Sequence, residues 1–189
     1  GVAPTGPLPP SVDFPLRKRP EPDEFKVVMF GDPQPNNLGD IDHMANDVIG
    51  ELIGTDAAFG MALGDLMADL LDLYEPYNQV MAQLGIPMWN VPGNHDLNMD
   101  VRKDALSTET WNRIFGPTTY AFDYGPVHFI FLDNILWRGN TYGVGFDEKT
   151  LKFVENDLKH VPKDQLVVIA MHAPLFTVNC ADLFALLKD

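Results

Sequence analysis

Ile86-Pro87-Met88-Trp89-Asn90-Val91-Pro92-Gly93-Asn94-His95-Asp96 is an apolar run that breaks at a glycine and then presents three polar side chains in succession. Short apolar runs bounded by Gly and Pro read as strands. The same construction occurs twice upstream. Phe25-Lys26-Val27-Val28-Met29-Phe30 ends in Gly31-Asp32, and the run from Ala57 to Leu63 ends in Gly64-Asp65. Downstream, Leu166-Val167-Val168-Ile169-Ala170-Met171 ends in His172. These four segments predict strands of one sheet whose C-terminal ends come to one place. Ligands bind at that edge of an open α/β sheet.

Helix-like stretches separate the runs, the signature of βαβ units and a largely parallel or mixed sheet. Ile41, Met44, Val48, Ile49 and Leu52 recur at helical spacing, with Asp40 as the expected N-cap. Further helices are expected over 66–84, interrupted by Pro76, over 102–115, over 147–158 and over 181–187. Tyr120–Tyr124 and Val127–Leu132, split by Gly125-Pro126, predict a β-hairpin.

The chain has 189 residues, 46% of them hydrophobic, enough for one sizeable core plus an appendage. Thirteen Lys and Arg stand against 27 Asp and Glu, a formal charge of −14. So acidic a surface repels nucleic-acid backbones and anionic lipid, and neither partner is expected. No apolar run reaches the length of a membrane span, and no signal peptide is visible, although an exported form with the signal removed would look the same. The compartment and oligomeric state are left open. Cys180 is the only cysteine, so no intrachain disulfide can form, and it is expected to be a small semi-buried residue. Residues 1–24 carry Pro4, Pro7, Pro9, Pro10, Pro15, Pro20 and Pro22 without an apolar period, which predicts an extended arm or linker. The domain proper is expected over 25–189.

The polar residues at the strand ends have the chemistry of a metal site. Asp32, Gln34, Asp65, Asn94 and His172 together offer carboxylate, amide and imidazole donors suited to a hard or borderline divalent ion. Asp65 is placed to bridge two such ions, and a pair roughly 3.5–4 Å apart clamps a phosphoryl group. His95, beside Asn94, is expected to contact the scissile phosphate and, as imidazolium, either to stabilise developing charge or to protonate the leaving oxygen, with Asp96 fixing its tautomer or raising its pKa. Asp69, four residues past Asp65, reads equally as a support of the site and as helix-start electrostatics. Asp40, Asp42 and His43 are better explained by helix capping and a solvated face. His128 is expected to serve strand packing. Arg138, in Trp137-Arg138-Gly139-Asn140, is one of few cations available to a phosphate.

In this order, Asp32-Pro33-Gln34, Gly64-Asp65, Gly93-Asn94-His95-Asp96 and His172-Ala173-Pro174 resemble the motif series of the calcineurin-like metallophosphoesterase superfamily. The segments 115–123 and 127–133 also look like a recurring part of it. The resemblance covers nearly everything after the arm. It implies a four-layer α/β sandwich with Asp32, Gln34 and Asp65 on one metal and Asp65, Asn94 and His172 on the other. It further implies two divalent ions (Mn, Fe, Zn or Mg), a small phosphorylated substrate, and hydrolysis of phosphomonoester, phosphodiester or pyrophosphate bonds by metal-activated water, with His95 catalytic. Gln34 stands where most members carry His, an exchange that favours harder ions. The superfamily's final Gly-His-x-His does not occur, which reads as C-terminal truncation. The alternative is an inactive phosphoesterase-like scaffold. A nuclease of the same superfamily is disfavoured by the acidity. A dinucleotide-binding fold is disfavoured by the lack of Gly-x-Gly-x-x-Gly after the first strand.

Overall fold

The computed structural model describes residues 21–175 and 181–188, so most of the expected arm and Cys180 lie outside the described residues. Three of the four expected strands lie side by side. Strands β1 (Val27–Phe30), β2 (Phe59–Leu63) and β3 (Met88–Val91) form a parallel sheet in that order. β4 (Tyr120–Tyr124) and β5 (Val127–Phe131) are the antiparallel arms of the expected hairpin. β6 (Ile135–Trp137) and β7 (Tyr142–Val144) make a separate two-stranded ribbon.

The fourth run does not join the first sheet. β8 (Leu166–Ala170) pairs parallel to β5, from Val127 opposite Leu166 to Phe131 opposite Ala170. The expectation of one sheet is therefore replaced by two three-stranded sheets. An apolar run announces a buried strand but carries no information about its hydrogen-bonding neighbour.

β5 shows how the sheets are packed. It is buried along its whole length, and its side chains alternate between two surroundings. Phe129 and Phe131 join Phe59, Met61 and Val91 of the first sheet in one cluster, tightened by edge-on packing of Phe59 against Phe129 at 5.3 Å. Ile130 and Leu132 pack the other way, with Val154 and Leu183.

Helical segments supply the remaining apolar surfaces. α1 (Leu38–His43) runs on through a π-helical stretch, Met44–Ile49, into α2 (Gly50–Leu52). Its cap is Asn37 rather than Asp40. Asn37 Oδ1 accepts from the Asp40 N–H at 3.1 Å, while Asp40 Oδ2 accepts from the Asn36 N–H at 2.8 Å, a reciprocal arrangement that satisfies donors at the helix start. His43 lies beside Asp47 on the solvated face.

The expected helix over 66–84 is shorter: residues 66–70 are irregular, and α3 spans Tyr74–Met81. Pro76 falls in its first turn, where no intrahelical N–H bond is lost. Ile41, Ile49, Tyr74, Tyr77 and Met81 pack around Ala62 of β2. α4 (Asp104–Ser107) and α5 (Glu109–Ile114) divide the expected third helix. α6 (Glu148–Leu158) is capped by Asp147, whose Oδ1 accepts from the Thr150 N–H at 2.7 Å. α7 spans Ala181–Leu187, and its Leu183 shares the cluster of Val154 on α6. No helix among the described residues is long and apolar enough to cross a membrane.

Candidate metal centre

The C-terminal ends of β1, β2 and β8 converge although they belong to different sheets. One ligand-type atom from each of Asp32, Asp65 and His172 lies within 4.8 Å of the others. His172 Nε2 is 3.4 Å from Asp65 Oδ2 and 3.2 Å from Asn94 Oδ1, and its Nδ1 is 3.7 Å from Asp32 Oδ1. Asn94, from the short 3-10 turn after β3, thus completes the gathering. Gln34 reaches it from the β1 side, donating Nε2–H to Asp65 Oδ2 at 3.0 Å. All five residues expected as ligands are therefore joined through contacts with Asp65 or His172.

Asp65 is the hub. It is 4% exposed, its Oδ2 faces Gln34 and His172, and its Oδ1 accepts the backbone N–H of His95 at 2.9 Å. Its own carbonyl accepts the Gln34 N–H at 3.0 Å, which ties the β1 and β2 loops together. Gln34 presents its amide nitrogen to Asp65, and nitrogen there cannot ligate a cation. Ligation by its oxygen requires a half-turn about its terminal torsion, a soft motion.

Two glycines permit this crowding. A Cβ on Gly93 would overlap the Asp65 carboxylate and backbone nitrogen, and one on Gly64, whose φ is 90°, would overlap the His172 ring. Gly31 has no such neighbour. There the strained residue is the acid itself. Among the described residues the non-glycine positions with positive φ are Asp32 (46°), Gln34 (41°), Asp65 (50°) and Asp69 (69°). Left-handed backbone at a side chain bearing Cβ costs about 1–3 kcal/mol per residue, and such strain clusters at functional sites. Here it is confined to three expected ligands and one neighbour of His95.

That neighbour is Asp69, which the sequence offers equally as a support of the site and as a helix-start charge; it lies in the irregular stretch 66–70, ahead of a 3-10 turn at Leu71–Leu73. Its Oδ1 lies 2.7 Å from His95 Nδ1. Asp69 thus takes the place expected of Asp96. Asp96 is fully buried and both its oxygens are committed elsewhere: Oδ2 accepts from the N–H groups of Gly93 (2.8 Å) and Leu66 (3.1 Å), and Oδ1 from Met67 N–H (3.2 Å) and the Tyr74 hydroxyl (2.9 Å). Four donors saturate a carboxylate, leaving nothing for the His95 ring. Asp96 fastens the loop after β2 to the turn after β3. Burial pushes its carboxyl up to about 6, against the lowering pull of the bonds from Gly93, Leu66 and Tyr74.

The donor set fits divalent cations: two carboxylates that would repel each other unpaired, an imidazole and two amides, with little room between them. No family profile matches the chain, and no curated protein sequence matches it. Among solved structures it is similar to a dimetal phosphatase from Danio rerio, with a TM-score of 0.57 and 15% identity over 86% of this chain and 77% of that one. The chain is a mixed α/β protein similar in fold to that dimetal phosphatase. At that identity the likeness speaks for the mixed α/β architecture, and the chemistry rests on the residues themselves.

Proposed function

We propose that residues 25–189 form a calcineurin-like, metal-dependent phosphoesterase domain, a four-layer α/β sandwich that hydrolyses a phosphate ester or anhydride bond of a small phosphorylated molecule. The supporting observation is the approach of Asp32, Asp65 and His172 to within 4.8 Å at the ends of strands from two sheets. Asp32, Gln34 and Asp65 would hold one divalent ion, and Asp65, Asn94 and His172 a second. Bound there, Mn, Fe, Zn or Mg ions supply Lewis-acid stabilisation of the phosphoryl oxygens and a more acidic water.

The chain's own residues do the rest. Without cations the Asp32 and Asp65 carboxylates would expel a phosphate, so substrate affinity depends on their being neutralised. His95 is fixed at both ends, by its backbone bond to Asp65 and by Asp69 at Nδ1. The Asp69 carboxylate accepts from Nδ1–H, so Nε2 is the nitrogen turned to the departing oxygen for proton transfer. Asp96 acts through the scaffold, holding the Gly93 turn in place.

The test is hydrolysis of p-nitrophenyl phosphate by the chain with added Mn²⁺, together with calorimetric Mn²⁺ binding. The reading expects turnover that falls by about 10²–10⁴-fold in His95→Ala with Mn²⁺ binding retained. Full activity in that variant removes His95 from catalysis. Absence of Mn²⁺ binding at saturating metal turns the assignment to the inactive scaffold.

A further inference from the structure

Away from the metal ligands, Arg102 and Arg138 converge on one cleft. It is open, about 610 Å³, and lined by Asp100, Arg102, Arg138, Gly139 and Asn140. In a chain of charge −14 a pair of guanidinium groups in one cleft is unexpected. Among the described residues no carboxylate lies within ion-pairing distance of either one, although acidic side chains outnumber basic ones about two to one.

The pair is held in place by the β6–β7 ribbon. Trp137 donates its indole N–H to the Val101 carbonyl at 2.7 Å and its backbone N–H to Asp104 Oδ1 at 2.6 Å, so the residue before Arg138 is bonded to the residue before Arg102. The Arg138 backbone N–H closes the ribbon turn on the Thr141 carbonyl at 2.8 Å. Its guanidinium lies across Gly143 of β7, where any Cβ would collide with it. Gly139, at φ 89°, brings the ribbon turn against the Arg102 carbonyl. An arginine laid along a strand loses less rotamer freedom on binding than one free in solvent.

The ribbon also relates the cleft to the metal centre. Ile135 and Trp137 pack with Leu97 and Ala173, the residues directly after Asp96 and His172. Arg138 lies three residues beyond Ile135, about 10 Å along the strand. A planar guanidinium matches phosphate in two-point contact, and two of them oppose the lone Asp100 at the cleft.

We infer that Arg102 and Arg138 form an anion subsite that receives a second phosphate of the substrate, remote from the one hydrolysed. The natural substrate class is then a small molecule with two separated phosphoryl groups. This inference rests on the phosphoesterase reading for its role in catalysis, but its binding half can be measured without metal.

The probe is inorganic pyrophosphate, titrated by calorimetry into the full chain stripped of metal on a chelating resin. In that state Asp32 and Asp65 repel the probe, so the arginine cleft is the site that remains. Arg102→Gln/Arg138→Gln is expected to weaken binding at least tenfold, whereas Arg113→Gln on α5 is expected to leave it unchanged. No binding by the wild-type chain, equal binding by the double variant, or equal weakening by Arg113→Gln overturns the subsite. A second arm compares kcat/KM for 1,6-hexanediol bisphosphate and p-nitrophenyl phosphate with Mn²⁺. The ratio should fall at least tenfold in the double variant, and an unchanged ratio overturns the subsite. If the chain binds pyrophosphate but hydrolyses neither ester, the phosphoesterase reading fails and the anion site stands.

Discussion

The backbone N–H of His95 donates to Asp65 Oδ1 across 2.9 Å, so the proposed acid and the central carboxylate are positioned by one bond. The contact is possible only because the residue two before His95 is glycine. A Cβ on Gly93 would occupy the space of the Asp65 carboxylate and backbone nitrogen. Gly93→Ala should therefore push Asp65 off its position and destabilise the fold by about 1–3 kcal/mol, the range for overpacking a filled site. Chemical denaturation reads the stability, and Mn²⁺ calorimetry reads the displaced carboxylate. Unaltered values for both would show that the loop relaxes freely.

Asp69→Asn keeps the shape of the side chain and removes its charge. The acceptor for His95 Nδ1 at 2.7 Å then becomes an amide oxygen, a weaker acceptor that orients the ring less firmly. With Mn²⁺ bound, kcat should fall roughly 10–100-fold, as for other residues that orient a functional imidazole. KM should change little, and Asp69→Glu, which restores a carboxylate acceptor, should recover much of the lost turnover. A fall in kcat that Asp69→Glu fails to recover would mark Asp69 as merely structural.

The meeting of the expected ligands was legible because each follows an apolar run that reads as a strand, and strands of α/β sheets release their functional side chains at one end. Asp32, Asp65, Asn94 and His172 needed no more than that. The hairpin at Gly125 was equally plain, since turn chemistry is local. What was hidden depended on partners distant in sequence. Nothing in Leu166–Ala170 tells β5 from β3 as a neighbour. Asp96 looked catalytic because it adjoins His95, yet the nearest residue in sequence points into the core, to Tyr74. The left-handed backbone at Asp32, Gln34, Asp65 and Asp69 was equally invisible, since strain is imposed by the closed site and not by the residue type.

Gln34 offers the site its weakest donor. Replacing it with imidazole should favour borderline ions over hard ones. Gln34→His is expected to lower the Zn²⁺ dissociation constant by about tenfold, about 1.4 kcal/mol, with less gain for Mg²⁺. The new ring must also accept the 41° φ at this position, a conformation His adopts more readily than most residues. Competition titration with a chromogenic chelator measures the change. Equal affinity for both ions before and after would remove residue 34 from the ligand set.

His128 provides a pH dependence separate from the metal centre. It is buried on β5, with Nδ1 2.8 Å from Asp123 on β4 and Nε2 2.7 Å from Asp157 on α6. Both nitrogens face carboxylates, an arrangement that only the doubly protonated ring satisfies. Burial alone would depress its pKa, but the hydrogen bonds and charges of Asp123 and Asp157 outweigh it, and the net shift is upward. A raised pKa in the folded state means that the fold holds the proton more tightly than the unfolded chain. The stabilisation is thus complete below the unfolded value of about 6.5 and is lost as pH rises through the higher folded value. Denaturant midpoints measured from pH 5.5 to pH 9 should fall across that window. Asp157→Asn should flatten the slope, because the ring then needs only one carboxylate. A slope identical in His128→Gln would assign the dependence to other groups.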